Sequence, residues 1–415
     1  MNKKILKIQD VRLHHMASTY EFPLFWYGNR LLRSCNIHGK QRLQKILALN
    51  LPTIQPAVET EFLIDLAEIP DIIDKSRLHR ESDIDGLDVI SPVYEHKNYE
   101  HRIHIQETYL GMRKEMISAV CQLNAKLTEH NMIAVDVHEM NINVTIDGIK
   151  WLDYGSIKDI DEHNCLRSFV EIGYLLGRHF FNKYQDLQER LTIDVVKTFS
   201  EELANIAKMD FTKPETWIVL DEYVKSLPVP DLMPTHWSDE YTMTNEIDNP
   251  NSRNDKGKNY WSLLQDIEFD TVTDVACNKG YFGFLAAKKA KSVIGFDVDS
   301  KCICMADELN KEFKLPAIFA IKTIEEFINN ENFETSRYKS DLVVALAIVH
   351  HLKIQKMPAV DFVNMLDSIC NRYIILEDVD EAEVYETLFL ERGYELVKRI
   401  DSSPVPRTLS LYRKL

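Results

Sequence analysis

Short apolar runs alternate with helix-like segments through the last third of this 415-residue chain, and this alternation restricts the fold more than any other feature. The apolar runs are typical of buried strands, and each of the first five is followed by a helix-like segment. Parallel strands need such crossovers, so the pattern predicts an α/β domain with a doubly wound, mostly parallel sheet. The last two runs, 394–400 and 407–414, follow each other without a helix, which predicts an antiparallel edge.

Two connector-like stretches precede this domain. Residues 226–234 contain three prolines, and residues 245–259 are rich in Asn, Asp, Gly and Lys. Residues 235–243, between them, carry aromatic side chains that a plain spacer does not need, which favours a lid over the second domain. The predicted division is a first domain at 1–228, a linker or lid at 229–259 and the α/β domain at 260–415.

Composition limits the partners and the compartment. The apolar fraction of 45% and the charged fraction of 27% are typical of a soluble globular protein, and the net charge of −16 disfavours nucleic acid. No apolar run is long enough for a transmembrane helix, and the basic N-terminus lacks the apolar segment of a secretory signal. Seven scattered cysteines, of which only Cys302 and Cys304 are close, predict reduced thiols in a cytoplasmic protein.

The stretch Asp274–Gly283, DVACNKGYFG, joins the first predicted strand of the α/β domain to its first helix. Ligands of such sheets bind beyond the carboxyl ends of the strands, so this turn must pass close to the ligand. Gly280 is then expected to leave room that a side chain would block. The spacing differs from a phosphate-binding Gly-x-Gly-x-x-Gly. The second strand ends at Asp297, 23 residues after Asp274, where a carboxylate can accept both hydroxyls of a ribose.

These features resemble the class I S-adenosylmethionine-dependent methyltransferases over residues 237–415. DVACNKGYFGFLAA and DLVVALAIVHHL look similar to a bacterial subgroup with Gly-Cys-Asn-x-Gly in the turn and Leu-Ala-x-x-His-His at the fourth strand. Ala276 departs from the usual first glycine and Asn278 from a common second one, but Ala is small and Asn tolerates unusual backbone angles. The resemblance implies a Rossmann-like sheet and S-adenosylmethionine as cofactor.

The resemblance also implies roles for single residues. Asp274 would orient the turn and reach the amino-acid part of the cofactor, and Asp297 would hold the ribose. Asp299 would help at the adenosine or serve as a solvated helix cap. The complete implied cofactor set is Asp274, Ala276, Cys277, Asn278, Gly280, Asp297, Asp299, Leu346 and Ala347. The alternative is a tight turn in an α/β domain that binds another nucleotide.

His350 and His351 follow the fourth strand at the ligand-binding edge and are the candidate catalytic residues. Methyl transfer to a hydroxyl needs alignment and a base, and an imidazole titrates near neutrality. Adjacent side chains on an extended segment point to opposite sides, so one histidine is expected to face the pocket. Glu377 and Asp378 end the fifth strand, and Glu377 is a candidate substrate ligand. The alternatives are a structural histidine pair and a solvated carboxylate.

Residues 134–157 hold the other informative pattern, in which Asp147-Gly148 predicts a two-residue hairpin turn. Asp136, Asn141 and Asp153 flank this hairpin, at successive offsets of five and twelve residues. The order of aspartate, asparagine, hairpin and Asp-Tyr-Gly resembles protein-kinase-like phosphotransferases. It implies an α+β kinase-like first domain in which Asp136 holds a hydroxyl, while Asn141 and Asp153 hold Mg²⁺ with ATP.

This resemblance is incomplete, because no glycine-rich phosphate loop and no matching lysine precede residue 113. An inactive platform that binds a substrate or a partner is therefore favoured over an active kinase, and a coincidental hairpin is a further alternative. The sequence as a whole predicts a cytoplasmic methyltransferase that modifies oxygen on a small molecule or saccharide intermediate. The alternatives are a bifunctional kinase–methyltransferase acting on a surface glycan, a cofactor-binding regulatory protein, and a tRNA methyltransferase, which the acidity opposes.

Overall fold

The computed structural model of the chain forms two compact units. It describes residues 4–6, 11–13, 24–28, 30–34, 37–65, 90–97, 99, 101–138, 141–181, 192–239, 247–249, 254–329, 335–378, 382–402 and 407–415. Unit 1 comprises Met1–Asn98, Arg113–Asn143 and Asp147–Pro228. Unit 2 comprises Tyr99–Met112, Val144–Ile146 and Val229–Leu415.

The first half of the chain mixes short strands with longer helices. The strands are β1 (Lys4–Leu6), β2 (Arg12–Leu13), β3 (Leu24–Tyr27), β4 (Arg30–Arg33), β5 (Ala57–Asp65), β6 (Ile90–His96), β7 (Ile103–His104), β8 (Met132–Ala134), β9 (Ile142–Thr145), β10 (Gly148–Trp151) and β11 (Ile157–Asp159). The helices are α1 (Ile37–Ala48), α2 (Leu110–Thr128), α3 (Glu162–Phe180), α4 (Ile193–Val196), α5 (Glu201–Ile206) and α6 (Pro214–Ser226).

Unit 1 contains a six-stranded sheet in the order β1-β5-β6-β4-β3-β2, in which only the β1–β5 pair is parallel. The buried apolar side chains of this sheet form one cluster: Leu6, Phe25, Leu32, Phe62, Ile64 and Val93. The predicted turn at Asp147-Gly148 joins β9 to β10, and Gly148 adopts the left-handed φ of +88° that such a turn requires. The hairpin prediction is therefore confirmed.

The second half of the chain alternates strands and helices as predicted. The strands are β12 (Thr271–Val275), β13 (Ser292–Asp297), β14 (Ala317–Ile321), β15 (Ser340–Ala345), β16 (Cys370–Asp378), β17 (Tyr394–Ser402) and β18 (Arg407–Lys414). The helices are α7 (His236–Asp239), α8 (Asp255–Gln265), α9 (Tyr281–Ala287), α10 (Ser300–Phe313), α11 (Ile324–Asn329), α12 (Val349–Ile354), α13 (Ala359–Ile369) and α14 (Ala382–Glu391).

Unit 2 is built on a seven-stranded sheet in the order β14-β13-β12-β15-β16-β18-β17. The first five strands are parallel, and β18 pairs antiparallel with both β16 and β17. The mostly parallel sheet with an antiparallel edge is therefore confirmed. The strand order changes direction at β12, whose neighbours β13 and β15 carry the chain to opposite sides. Open α/β sheets bind their ligands at such a switch point, beyond the carboxyl ends of the strands.

Unit 2 also contains the segment Tyr99–Met112, which lies within the predicted first domain at 1–228. His101 is buried, and its two ring nitrogens lie 2.9 Å from the hydroxyls of Ser292 and Ser340, at the starts of β13 and β15. Burial lowers the pKa of His101 to about 3. A neutral imidazole can donate one of these hydrogen bonds and accept the other, so His101 fastens the segment to the sheet without a charge.

Two local predictions were wrong. Helix α8 begins at Asp255, inside the stretch predicted as linker, and the segment with His350 and His351 is the helix α12 rather than extended chain. Residues 240–246 and 250–253 of the predicted linker lie outside the described residues. Among the helices that the structure describes, none is long and apolar enough to cross a membrane.

Candidate functional site

The turn between β12 and α9 has an unusual backbone. Ala276, Asn278 and Gly280 have φ values of +54°, +51° and +80°, so three residues of one turn adopt left-handed conformations. A left-handed conformation costs a residue with a Cβ about 1–2 kcal/mol, and such strain accumulates at functional sites. Turns that combine left- and right-handed residues also direct backbone N–H groups into a concave surface. The strained turn is therefore the first structural indication of a binding site.

Two carboxylates hold this turn in place. The Asp274 Oδ2 atom accepts a hydrogen bond of 2.8 Å from the Gly283 amide, and the Asp297 Oδ2 atom accepts one of 2.9 Å from the Asn278 amide. Asp297 Oδ1 also accepts from the Asp299 amide, at 2.9 Å. Burial raises the pKa of Asp274 to about 7, and burial likewise raises the pKa of Asp297 although amide donors oppose it.

A cavity of about 670 Å³ opens beside the turn at the carboxyl ends of the parallel strands. The predicted residues in its wall are Ala276, Cys277, Asn278, Asp297, Asp299, Leu346, Ala347 and His351. Four other predicted residues, Asp274, Gly280, His350 and Glu377, are not part of the wall, which is defined by described residues only. The structure thus brings together most of the implied cofactor set and one of the two candidate bases.

Gly280 and Asp274 act on the fold rather than on the cavity. A Cβ atom on Gly280 would lie 2.6 Å from Phe319 Cε1 and 3.2 Å from Phe284 Cε2. Glycine is needed there because of this contact and the left-handed φ, and not because a side chain would block a ligand. Asp274 is only 2% exposed, so it orients the turn through Gly283 but does not reach into the cavity.

Glu377 is buried beneath the cavity instead of bordering it. Its side chain is fully buried, and Oε2 lies 2.6 Å from Lys256 Nζ and 3.6 Å from an Arg407 nitrogen. Lys256, on α8, is itself part of the cavity wall. Lys256 was not among the predicted site residues, because residues 229–259 were predicted to be a linker or lid.

The histidines occupy different positions on α12. His351 lines the cavity, and its ring meets the Trp237 ring edge-on, with 5.0 Å between centroids and 90° between planes. The His350 ring lies 4.0 Å from that of His351 but outside the wall. Burial lowers the pKa of both imidazoles, and the charge of Arg407 lowers the pKa of each further. His351 is therefore neutral at pH 7 and able to accept a proton.

The residues Thr235–Ser238, here called the strap, contribute to the cavity wall. Thr235, His236 and Trp237 line the cavity. The strap is tied down twice, since the Thr235 hydroxyl donates to Asp299 and the buried Lys279 ammonium donates to the Ser238 carbonyl at 2.8 Å. Asp299 also accepts hydrogen bonds from the first amides of α10, at 2.9 and 3.1 Å. It is therefore a helix cap that also holds the strap.

Several wall residues carried no recognised sequence signal. Val298 is 64% exposed although it is apolar, and it stands between the two acids Asp297 and Asp299. Lys322 and Ile324 follow β14 and line the same cavity. An apolar side chain exposed inside a cavity suits a flat apolar ligand surface. Val298 directly follows Asp297, the acid that ends the second strand. This position could have indicated from the sequence that Val298 lines the site.

The three kinase-like residues of unit 1 are only partly brought together. Asn141 donates from its amide to the Asp136 backbone carbonyl at 2.9 Å. The Asp136 carboxylate lies 3.1 Å from Arg167 and 3.3 Å from the His138 ring. The His138 hydrogen bond lowers the pKa of Asp136, which makes the carboxylate a weaker base.

Asp153 lies in a separate set of contacts. It accepts from the Gly155 amide at 2.9 Å and forms an ion pair of 3.8 Å with Arg33, a buried residue of β4. Within the described part of the chain, no group of three or more His, Cys, Asp or Glu side chains is arranged to hold a metal ion.

No protein-family model and no curated protein matches this chain. A similar solved structure is that of the N-methyltransferase NodS from Bradyrhizobium japonicum WM9, with 17% identity, a TM-score of 0.33 and coverage of 40% of this chain and 98% of that chain. Another is the magnesium protoporphyrin IX methyltransferase ChlM from Synechocystis PCC 6803, with 15% identity, a TM-score of 0.31 and coverage of 41% and 89%. A third is WbdD in complex with the kinase inhibitor LY294002, with 23% identity, a TM-score of 0.31 and coverage of 46% and 47%.

Proposed function

We propose that the unit 2 cavity binds S-adenosylmethionine and that the protein transfers the methyl group to oxygen on a small molecule or saccharide intermediate. One observation carries this proposal. Asp297, at the end of the second parallel strand, and the left-handed turn from Ala276 line the same cavity at the switch point of the sheet. A carboxylate in that position can accept hydrogen bonds from both hydroxyls of a ribose, and a turn with left-handed residues can direct backbone N–H groups toward a ligand.

The wall residues fit the parts of the cofactor. Asp297 would hold the ribose, and the exposed Val298 together with Ile324 would cover the adenine. The backbone from Ala276 to Lys279 would lie against the methionine part, which leaves Leu346 and Ala347 beside the sulfonium. Ala347 is also left-handed, at φ +58°, so the chain after β15 is bent where it faces the cavity.

The bound cofactor supplies a methyl group that positive sulfur has already activated, so the protein must align the acceptor and remove its proton. His351 is the residue proposed for proton removal, because it is neutral and lies in the wall. Trp237 would fix the orientation of its ring, and the strap would exclude water from the reacting atoms. The net charge of −16 supports a small acceptor over a nucleic acid.

The test is a titration of the full chain with S-adenosylhomocysteine, the demethylated product. Asp297→Ala should weaken binding by about 1–3 kcal/mol, roughly 5- to 150-fold, the scale for an unpaired hydrogen-bonding site. Adenosine keeps the ribose but lacks the amino acid. Asp297→Ala should therefore weaken adenosine binding by a similar factor. Asp255→Ala, at an exposed position on α8, is the matched control and should bind normally. Failure of the unchanged protein to bind S-adenosylhomocysteine would remove the proposal.

Turnover separates an enzyme from a cofactor-binding regulatory protein. The protein is incubated with labelled S-adenosylmethionine and with small-molecule, glycan and RNA fractions of the host. Label in the small-molecule or glycan fraction is the expected result. Label in the RNA fraction would favour the tRNA alternative, and binding without any transfer would favour the regulatory one. The paired state of Asp136 weighs against adding kinase activity to this proposal.

A further inference from the structure

A charged cluster joins the carboxyl end of β16 to α8, and none of its residues has a role among the proposed cofactor contacts. Its members are Lys256, Glu377 and Arg407. The two cations share one carboxylate oxygen, because Glu377 Oε2 lies 2.6 Å from Lys256 Nζ and 3.6 Å from Arg407. The cluster therefore combines two basic side chains with one fully buried carboxyl group.

This cluster has unused hydrogen-bonding capacity. Glu377 Oε1 and His350 Nδ1 are buried and have no hydrogen-bond partner within the described part of the chain. Burial lowers the pKa of Lys256, His350 and His351, and the charge of Arg407 lowers each pKa further, so that charge acts on both α8 and α12. Buried polar groups are normally satisfied by a partner, which here is a ligand or water.

Glu377 and Arg407 lie on strands away from the proposed cofactor contacts. Asp297 and the strained turn belong to β13 and β12, on one side of β15, whereas Glu377 and Arg407 belong to β16 and β18, on the other side. Lys256 connects the cluster to the cavity because it is part of the wall. The Arg407 side chain is 31% exposed, so its guanidinium can still reach a ligand.

We infer that Lys256 and Arg407 bind an oxyanion group, a carboxylate or a phosphate, of the methyl acceptor. The acceptor is then an acid that also carries the methylated hydroxyl, and a second donor group on it would satisfy Glu377 Oε1. An arginine and a lysine are suited to such a group, since both donate charge-assisted hydrogen bonds. This inference rests on the proposed function, because only a methyl acceptor needs to lie beside the cofactor.

The experiment follows the histidine ring signals of the full chain by NMR with S-adenosylhomocysteine present. Sodium acetate and inorganic phosphate are titrated separately at constant pH and ionic strength, and His350→Ala and His351→Ala assign the two signals. Arg407→Gln removes the charge, and Arg407→Lys keeps it. Arg413→Gln is the matched control, because Arg413 lies on the same strand but is 54% exposed and paired with Glu395.

Saturable shifts of both signals are expected, with a midpoint at least tenfold higher in Arg407→Gln and unchanged in Arg413→Gln. The anion with the lower midpoint identifies the group as carboxylate or phosphate. No saturable shift, or the same midpoint in Arg407→Gln, would overturn the inference. The inference would also be overturned if the anion gave saturable shifts in the presence of 5′-methylthioadenosine, which lacks the amino acid, but not in the presence of S-adenosylhomocysteine. The anion would then occupy the site of the cofactor carboxylate. Failure of the unchanged protein to bind S-adenosylhomocysteine would instead count against the proposed function.

Discussion

His351 illustrates how single residues are tuned around the cavity. Burial lowers the pKa of its imidazole, Arg407 lowers it further, and Asp297 opposes both. The folded protein therefore holds the ring in the neutral form, which can accept a proton from a hydroxyl. The His351 ring also packs edge-on against Trp237.

Replacing His351 by alanine should reduce kcat about 10²- to 10⁴-fold while S-adenosylhomocysteine still binds, because a general base contributes on that scale. The pKa of His351 is lowered from 6.5, and only the neutral imidazole can accept the proton. The rate should thus rise with pH through a midpoint below 6.5 and stay level above it. His350→Ala should affect kcat much less, since His350 is outside the wall. A wild-type rate in His351→Ala would leave alignment as the whole mechanism.

The position of Asp297 could be predicted from the sequence, because Asp297 ends a strand that its own apolar run makes recognisable. Glu377 could not be placed, because its burial depends on Lys256 and Arg407, which are 121 and 30 residues away in the sequence. The separation of His350 from His351 depended on whether their segment is helical. The sequence pattern of six residues, Val349–Ile354, is too short to decide that question.

Among the elements, the turn after β12 shows why glycine stands at position 280. Its φ of +80° and its closeness to Phe319 are two separate constraints. Gly393 shares only the first of them, because its φ is +78° but nothing lies within 4 Å of its added Cβ. The two glycines therefore allow backbone strain to be separated from packing.

Gly280→Ala should destabilise the protein by about 2–5 kcal/mol, as the sum of left-handed strain and overpacking against Phe319. Gly393→Ala should cost only the strain, about 1–2 kcal/mol. Adding Phe319→Leu to Gly280→Ala should cost less than the two single changes together, because the smaller side chain relieves the clash. Urea unfolding of the four variants measures these differences. Equal costs at the two glycines would contradict the packing explanation.

The strands of unit 2 could be predicted because buried parallel strands are continuous apolar runs between helices. Helix α8 was missed, since its polar start resembles a connector and its burial appears only in the folded unit. Segment Tyr99–Met112 was missed for a stronger reason. His101 contacts Ser292 and Ser340, which are 191 and 239 residues away, and no local pattern encodes such contacts.

At the scale of the whole molecule, unit 1 should not respond to nucleotide. Asp136 is already paired with Arg167 and His138, and Asp153 with Arg33. ATP with magnesium at millimolar concentration should therefore not bind and should leave the melting temperature unchanged. Binding would be detected, because a ligand that binds the folded state raises the melting temperature. A magnesium-dependent rise that Asp153→Ala removes would restore the bifunctional alternative. Asp159→Ala, at an exposed position, is the control.

Unit 2 is assembled from distant parts of the chain, and Glu107 connects several of them. Its carboxylate accepts from Arg337 at 2.7 Å and 3.1 Å, from Lys322 at 2.9 Å and from the Tyr338 hydroxyl at 2.9 Å. Burial raises the pKa of Glu107, but the two cations outweigh burial and bring it to about 2. Two buried cations thus pair with one carboxylate from another part of the sequence.

Glu107→Gln should destabilise unit 2 by about 3–5 kcal/mol, because it removes the carboxylate that pairs with two buried cations. Glu395→Gln, at a half-exposed pair with Arg413, should cost about 0–1 kcal/mol and is the control. Hydrogen exchange of the β13 and β15 amides measures the unfolding of unit 2 alone. A fragment of residues 229–415 lacks Glu107 and His101, so its amides should exchange at least as fast as in Glu107→Gln. Full-chain protection in that fragment would mean that unit 2 does not require the Tyr99–Met112 segment.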